Sequence, residues 1–221
     1  MKTILRIDAS ARVNRSLSRD LADRFVLEWK RLRGDDDAWI VRDVGTCPPP
    51  FISQPFIAAA FTKESERSDE QVAILESSDE LIAEVTKADV VLLSTPMYNY
   101  GVPAALKAWF DMVIRVNETF DFDLTRGDKP LRPLQKGKFL VLLTSSGEFG
   151  FGPKGFNHGS NHLVPHVETM SYLLGVETVR HVGIEYQEFG DDRHEQSKIK
   201  AHDAVVELAS KLVQMMTTTK S

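Results

Sequence analysis

The chain of 221 residues contains little cysteine and no long apolar run. Its one cysteine, Cys47, excludes an intramolecular disulfide and any site built from several cysteines, such as an iron–sulfur cluster. No apolar stretch approaches the ~20 residues that a membrane-spanning helix requires. The apolar start is too short for a signal-peptide core and is interrupted by Arg6. We therefore expect a cytoplasmic protein with no membrane partner.

The chain also lacks an excess of positive charge. Lys and Arg number 27 against 32 Asp and Glu, which gives a formal net charge of −5. Nucleic acids and anionic membrane surfaces require a basic face on their partners, so neither is expected here. Hydrophobic residues make up 42% and charged residues 27%, as in ordinary globular proteins. The length favours a single domain over residues 1–221.

Motifs of several common enzyme classes are missing as well. The sequence has no G-x-G-x-x-G fingerprint and no phosphate-binding P-loop, and Ser146 does not lie in the G-x-S-x-G motif of hydrolases. His158, His162 and His166 are spaced four apart, as metal ligands on one helix face would be. However, a glycine and a proline lie among them and no carboxylate completes the set, so we predict no metal site.

Strands and helices are predicted to alternate along the chain. Apolar runs predict five strands, at Lys2–Ala9, Ala38–Val41, Asp89–Ser94, Lys138–Leu143 and Thr178–Ile184. Helical periodicity is found in six segments: around Leu21–Trp29, around Ile57–Phe61, through Val72–Val85, from Pro103 to Ile114, from about His162 to Leu174, and from Arg193 to Met216. We expect Asn117–Gln135 to be a polar insertion. The pattern predicts an α/β fold, a doubly wound five-stranded parallel sheet with helices on both faces.

Ligands of such sheets bind beyond the carboxyl ends of the strands, which directs attention to three loops. The first contains Ser10 and the triplet Ser16-Leu17-Ser18, directly before a helix. The N-terminus of a helix attracts anions, so the hydroxyls and N–H groups there suit a phosphate monoester. Equally, Ser16 or Ser18 can serve only as a helix cap.

The other two loops offer an apolar edge and a set of hydrogen-bond donors. The loop from Thr95 to Pro103 combines two aromatic residues, a methionine and an amide between prolines, which suits a planar ring. The loop that begins at Thr144 supplies hydroxyls and N–H groups that can meet the polar edge of a heterocycle and stabilise negative charge on it. It can equally be a plain polar turn.

Taken together, these segments resemble one known family. The serine loop, the segment PMYNYGVPAALKAWFD (Pro96 to Asp111), Thr119-Phe120 and the motif TSSG (Thr144 to Gly147) are similar to the FMN-dependent NAD(P)H azoreductase and quinone oxidoreductase family, in order and spacing across nearly the whole chain. The resemblance implies a flavodoxin-like fold and a homodimer with FMN near the subunit interface. It further implies NADH or NADPH as cosubstrate, and quinones and azo compounds as acceptors in a ping-pong cycle.

The resemblance also implies a role for individual residues. The FMN phosphate is expected to be bound by Ser10, Ser16, Leu17 and Ser18. The isoalloxazine ring is expected to lie along Met97, Tyr98, Asn99 and Tyr100, with its pyrimidine end facing Thr144, Ser145, Ser146 and Gly147. Backbone N–H groups at Asn99 and Gly147 are expected to tune the flavin, which itself carries the hydride, so no catalytic side chain is expected. Phe120 and Phe122 are expected to reach the substrate pocket of the partner or, equally, only to pack within their own loop.

Two positions depart from the family pattern. Many members carry Phe where Tyr100 stands and a second Gly where Glu148 stands. We expect Glu148 to affect the redox potential and the substrate range, and the glycine-rich segment Phe149–Gly159 to shape the substrate pocket.

Three other functions share this fold. A flavodoxin-type electron carrier and an FAD-dependent quinone reductase remain alternatives. A phospho-receiver module is disfavoured, because Asp8 stands alone after the first strand and the third strand ends in Ser94-Thr95.

Overall fold

The computed structural model describes residues 1–218, which form seven strands and six α-helices. The strands are β1 (Thr3–Asp8), β2 (Ala38–Asp43), β3 (Val90–Pro96), β4 (Phe120–Phe122), β5 (Leu131–Pro133), β6 (Lys138–Ser145) and β7 (Val176–Ile184). The helices are α1 (Leu17–Arg33), α2 (Gln54–Phe61), α3 (Asp69–Lys87), α4 (Ala104–Val113), α5 (Val164–Leu173) and α6 (Asp192–Thr218).

Five of the strands form one parallel sheet in the order β2-β1-β3-β6-β7. The sheet starts at β1, extends to β2 on one side, and then continues through β3 on the other. Strand order therefore reverses between β1 and β3, and the loops that follow β1, β3 and β6 meet at one edge of the sheet. The predicted α/β fold with a five-stranded parallel sheet is confirmed.

Apolar side chains cover both faces of this sheet. Leu5 and Ile7 of β1 pack into a core with Trp109 of α4, whereas Ile4 faces the opposite core with Trp29 of α1. All seven residues of β3 are buried, as expected of a strand that is covered on both sides. The period-two alternation of β1 and β3 thus divides the apolar residues between the two helical layers.

The structure corrects several predicted boundaries. The segment Asn117–Gln135 is not a plain polar insertion, because it contains the antiparallel pair β4–β5. Helix α5 begins at Val164 rather than near His162, since Pro165 occupies the first turn, where its missing N–H costs nothing. Helix α4 begins one residue after Pro103, which is its N-cap residue. Strand β2 continues two residues beyond Val41.

Within residues 1–218, none of the helices combines the length and the apolar character that crossing a bilayer would need.

Candidate functional site

The loop after β1 ends at the N-terminus of α1. The Ser16 hydroxyl accepts a hydrogen bond from the Arg19 N–H at 3.4 Å, so Ser16 is indeed the N-cap residue. The N–H groups of Leu17 and Ser18 have no acceptor in residues 1–218. The Ser18 hydroxyl is fully buried and lies 3.4 Å from that of Ser16. Capping therefore leaves free two N–H donors and the positive end of the helix dipole, the features that bind an anion.

The backbone at Ser10 is held in place by contacts with Arg19 and Gly45. Arg19 donates to the Ser10 carbonyl at 2.7 Å and pairs with Asp43 at 2.7 and 2.8 Å. The hydrogen bond to Asp43 raises the pKa of Arg19, so this ion pair stays charged. Gly45 approaches so closely that a Cβ on it would lie 2.1 Å from the Ser10 carbonyl oxygen. Only glycine allows this contact, which holds Ser10 at the mouth of the groove.

Asp8, at the end of β1, is a structural carboxylate. It is 3% exposed, accepts a hydrogen bond from the Ser94 hydroxyl at 2.6 Å and pairs with Arg6 at 2.9 Å. A phospho-receiver needs an accessible carboxylate at this place. Asp8 is buried and bonded to Ser94 and Arg6, so its carboxylate is not accessible, which argues against the phospho-receiver alternative.

The loop after β3 is a tight turn with an unusual backbone. Tyr98 and Gly101 exchange two hydrogen bonds, at 3.1 and 3.0 Å. Between them, Asn99 and Tyr100 both have positive φ, of 48° and 65°. Such angles define a type I′ turn, and for a tyrosine they are strained. The N–H groups of Asn99 and Tyr100 have no acceptor among the described residues, so the turn presents its donors outward.

The loop after β6 faces that turn. The Met97 N–H donates to the Ser145 carbonyl at 2.7 Å, which joins the two loops at their bases. The N–H of Gly147 has no acceptor in residues 1–218. A Cβ on Gly147 would lie 2.6 Å from the end of the Glu188 side chain, so the Glu188 carboxylate packs directly against this backbone. The two loops thus form opposite walls with unpaired donors on both.

A groove runs along the sheet edge between these three loops. One part, of about 210 Å³, is lined by residues of the serine loop including Ser10, Arg12 and Ser16. A second part, of about 180 Å³, lies between the turn at Asn99 and the loop at Gly147. Both parts share a wall made of Met97, Gly147 and Glu188. The groove therefore extends from an anion-binding end to an end of ring size.

Most of the predicted cofactor residues meet in this groove. Those that line one or both parts are Ser10, Ser16, Leu17, Met97, Tyr98, Asn99, Tyr100, Ser145, Ser146 and Gly147. Ser18 lies beneath the anion-binding end. Thr144 instead lines a neighbouring cavity of about 400 Å³ and bonds to His181, with 2.8 Å between the hydroxyl and Nε2.

Phe120 and Phe122 lie elsewhere on the same chain. They line an apolar groove of about 530 Å³ between α2, α4 and the β4–β5 pair. No residue of this groove lines the two parts at the sheet edge. Their predicted contact with a substrate pocket therefore requires a second subunit, and it stays a prediction.

The three histidines do not share a helix face. His158 begins a 3-10 turn, His162 precedes α5 and His166 lies within it. No three His, Cys, Asp or Glu side chains of residues 1–218 are grouped so as to hold a metal ion.

Sequence reasoning missed four residues of the site: Gly45, Arg19, Asp43 and Glu188. Each acts through a contact between segments distant in sequence, and no local motif marks such a contact. The acidic ending of β2 could have pointed to Asp43, because β2 neighbours β1 in folds of this type.

Comparison with known proteins identifies the family. A family model described as "Flavodoxin-like fold" matches residues 2–208. An FMN-dependent NADH:quinone oxidoreductase 2 from Idiomarina loihiensis is 51% identical over 219 residues, which cover 96% of this chain and 91% of that protein. An FMN-dependent NAD(P)H:quinone oxidoreductase 1 from Pseudomonas aeruginosa is 39% identical over 211 residues, covering 95% and 99%. The chain belongs to this flavodoxin-like oxidoreductase family.

The family's fold is also found in solved structures. An FMN-dependent NADH-azoreductase from Bacillus anthracis, solved in complex with FMN, superposes with a TM-score of 0.83 at 20% identity and covers 96% of this chain and 99% of its own. At that identity the likeness shows the shared flavodoxin-like fold. The resemblance predicted from the loops is confirmed.

Proposed function

We propose that the protein is an FMN-dependent NAD(P)H oxidoreductase that reduces quinones by two-electron transfer and reductively cleaves aromatic azo compounds. The observation that carries the proposal is the groove at the sheet edge. It has free helix N–H groups and hydroxyls at one end and unpaired loop N–H groups around a ring-sized space at the other. The names of the two relatives above support the cofactor and the quinone substrates.

The donor set fits FMN. Leu17 and Ser18 would bind the phosphate through their free N–H groups, with the hydroxyls of Ser10, Ser16 and Ser18 around it. Arg12 and Arg15 line this end and pair with no carboxylate in residues 1–218, so they add favourable charge. The relatives named above are FMN-dependent, which favours FMN over FAD.

The chain's residues supply orientation and electrostatics. Bound FMN would supply the hydride chemistry, so that NAD(P)H and the acceptor react in turn in a ping-pong cycle. The Asn99 and Gly147 N–H groups would hydrogen-bond the polar edge of the ring and stabilise negative charge there. Reduction of a quinone requires one such cycle, whereas cleavage of an azo bond requires two.

We further propose a cytoplasmic homodimer. The apolar groove that contains Phe120 and Phe122 would meet the partner and bring these rings towards the partner's flavin, as family members do.

A spectroscopic titration tests the proposed function. The purified protein is loaded with FMN, freed of excess, and treated anaerobically with NADH or NADPH. We expect retained flavin bands at about 370 and 450 nm that bleach with a nicotinamide and return with a quinone. Retained flavin that neither nicotinamide bleaches would indicate an electron carrier. Retention of FAD in preference to FMN would favour the FAD-dependent alternative, and no retained flavin would refute both.

A further inference from the structure

The ring-sized end of the groove has a wall that carries uncompensated negative charge. Glu148 lines this space, and its two carboxylate oxygens accept hydrogen bonds from neutral groups only. The Tyr100 hydroxyl donates to Oε1 at 3.0 Å, and the Asn157 side-chain amide donates to Oε2 at 3.2 Å. Within residues 1–218, no lysine, arginine or histidine pairs with it. The carboxylate is therefore fixed in place without being neutralised.

The bond to Tyr100 has a second effect. Because the phenol donates to Glu148, the pKa of Tyr100 is raised and its hydroxyl stays protonated. Tyr100 belongs to the turn after β3, and Glu148 belongs to the loop after β6. Their hydrogen bond joins the two loops that line the ring-sized space and holds the carboxylate in place.

A second carboxylate stands on the same wall. Glu188 packs against Gly147 and lines both parts of the groove. It is exposed and has no ion-pair partner among the described residues. None of the residues that line the ring-sized part is a cation, whereas Arg12 and Arg15 line the other part. The groove is thus polarised, with positive charge at the serine loop and negative charge at the ring-sized end.

We propose that Glu148, with Glu188, makes the enzyme select against acceptors that carry a negative charge near their reducible ring. This inference rests on the proposed function, because the acceptor is taken to approach the ring-sized end. An acceptor that stacks on the flavin ring bound in this space would bring an anionic substituent close to the two carboxylates, while a neutral acceptor of the same shape would not be repelled. A unit charge acting over about 7 Å in a partly hydrated groove changes binding by about three- to sevenfold.

Two matched quinones test the proposal. 1,2-Naphthoquinone and 1,2-naphthoquinone-4-sulfonate share a ring system and differ in charge. Their kcat/KM values are measured at saturating NADH with the FMN-loaded enzyme, and the sulfonate-to-neutral ratio is compared between variants. Because the intrinsic reactivity of the quinones cancels in this comparison, the ratio reports the protein's charge. The variants are Glu148→Gln, Glu188→Gln and the double substitution.

We expect the sulfonate-to-neutral ratio to rise by about three- to sevenfold in each single variant and by more in the double variant. The rise should be smaller at high salt, because salt screens the charges. Glu76→Gln, an exposed change on α3, is the matched control and should leave the ratio unchanged. Bound FMN and thermal stability are measured for every variant. If Glu148→Gln loses FMN, Glu188→Gln carries the test, since no side-chain hydrogen bond of Glu188 is broken.

The proposal and the proposed function fail in different ways. Equal ratios in wild type and both variants, with the neutral quinone still turned over, would overturn the charge selection alone. A ratio change that persists undiminished in 1 M salt would also overturn it, because screening must weaken an effect of charge. If the wild-type enzyme reduces neither quinone, the proposed function fails and the selection fails with it.

Discussion

At the scale of single residues, the anion-binding end depends on groups that are buried and only partly paired. The Ser18 hydroxyl is fully buried, and its hydrogen-bond contact with the Ser16 hydroxyl is long, at 3.4 Å. A buried hydroxyl with so weak a partner gains from a bound phosphate.

Replacing Ser18 with alanine tests this assignment. We expect FMN binding to weaken by about 1 kcal/mol, on the scale of one hydrogen bond, with little change in the stability of the apoprotein. The measurement is a titration of FMN followed by quenching of its fluorescence. Ser77→Ala, an exposed change on α3, is the control. Unchanged affinity in Ser18→Ala would remove the hydroxyl from the phosphate site.

Gly45 tests the support beneath Ser10. A methyl group there would meet the Ser10 carbonyl carbon at 2.5 Å as well as its oxygen, and both are backbone atoms that cannot rotate away. We expect Gly45→Ala to displace the serine loop, to weaken FMN binding more than about tenfold and to cost about 1–3 kcal/mol of stability.

Gly159→Ala provides the comparison, because a Cβ at Gly159 meets nothing within 4 Å. Binding titrations and urea unfolding should therefore leave Gly159→Ala close to wild type. Wild-type FMN affinity in Gly45→Ala would show that the serine loop does not need this contact.

At the scale of elements, one carboxylate joins three segments. Asp37, just before β2, accepts hydrogen bonds from the Arg33 side chain at the end of α1, from the Lys2 N–H before β1, and from the Trp29 indole. The hydrogen bond from Arg33 is the largest influence and, together with the other two bonds, it outweighs the effect of burial. The pKa of Asp37 is therefore lowered from its ordinary 3.8 to about 2.

The sign of the resulting pH dependence follows from that shift. Because the folded pKa is below the unfolded value, Asp37 stabilises the fold above about pH 4, and this contribution is lost as the pH falls towards 2. We expect Asp37→Asn to lower the free energy of unfolding at pH 7 by about 2 kcal/mol and to flatten its fall between pH 4 and 2. Urea unfolding across this range measures both.

The adjacent Asp36 is an apt control. It is exposed and makes no hydrogen bond with the described residues, so Asp36→Asn should keep the wild-type pH profile. An Asp37→Asn profile parallel to wild type down to pH 2 would contradict the assignment.

Local patterns predicted an element well where the residues of the pattern are the ones that are buried. The apolar run of β3 required burial on both sides, and β3 is buried throughout. By contrast, the pairing of β4 with β5 depends on only three residues in each strand, which is too short for a period-two signal. The positive φ of Tyr100 was also invisible in the sequence, since neighbouring contacts impose it on a residue that disfavours it.

At the scale of the whole molecule, the sequence predicted where the site lies better than it predicted how the site is held. The three loops converge because parallel strands end at one edge, a consequence of topology alone. The residues beneath them, such as Arg19, Asp43 and Gly45, come together only when β1, β2 and α1 are packed. Their roles depend on distances that no spacing along the chain encodes.

The apolar surface near β4–β5 leads to a prediction about assembly. Phe61 of α2 is 76% exposed and Phe122 is 53% exposed, and both line the apolar groove. Large apolar side chains grouped on a surface indicate an interface, and burying one contributes about 1.5–3 kcal/mol. In a two-fold dimer each substitution acts twice, because both subunits carry it. We therefore expect a dimer that Phe61→Asp dissociates at micromolar concentrations.

Light scattering coupled to size-exclusion chromatography measures the mass directly. Leu27→Asp is a matched control, since Leu27 is 72% exposed on α1, which packs on the other face of the sheet. If Phe122 completes the partner's substrate pocket, Phe61→Asp should lose quinone turnover as it dissociates, while Leu27→Asp keeps both. A wild-type monomer that still turns over quinone would contradict the dimer and would place the whole site within one chain, because the groove at the sheet edge would then need nothing from a partner.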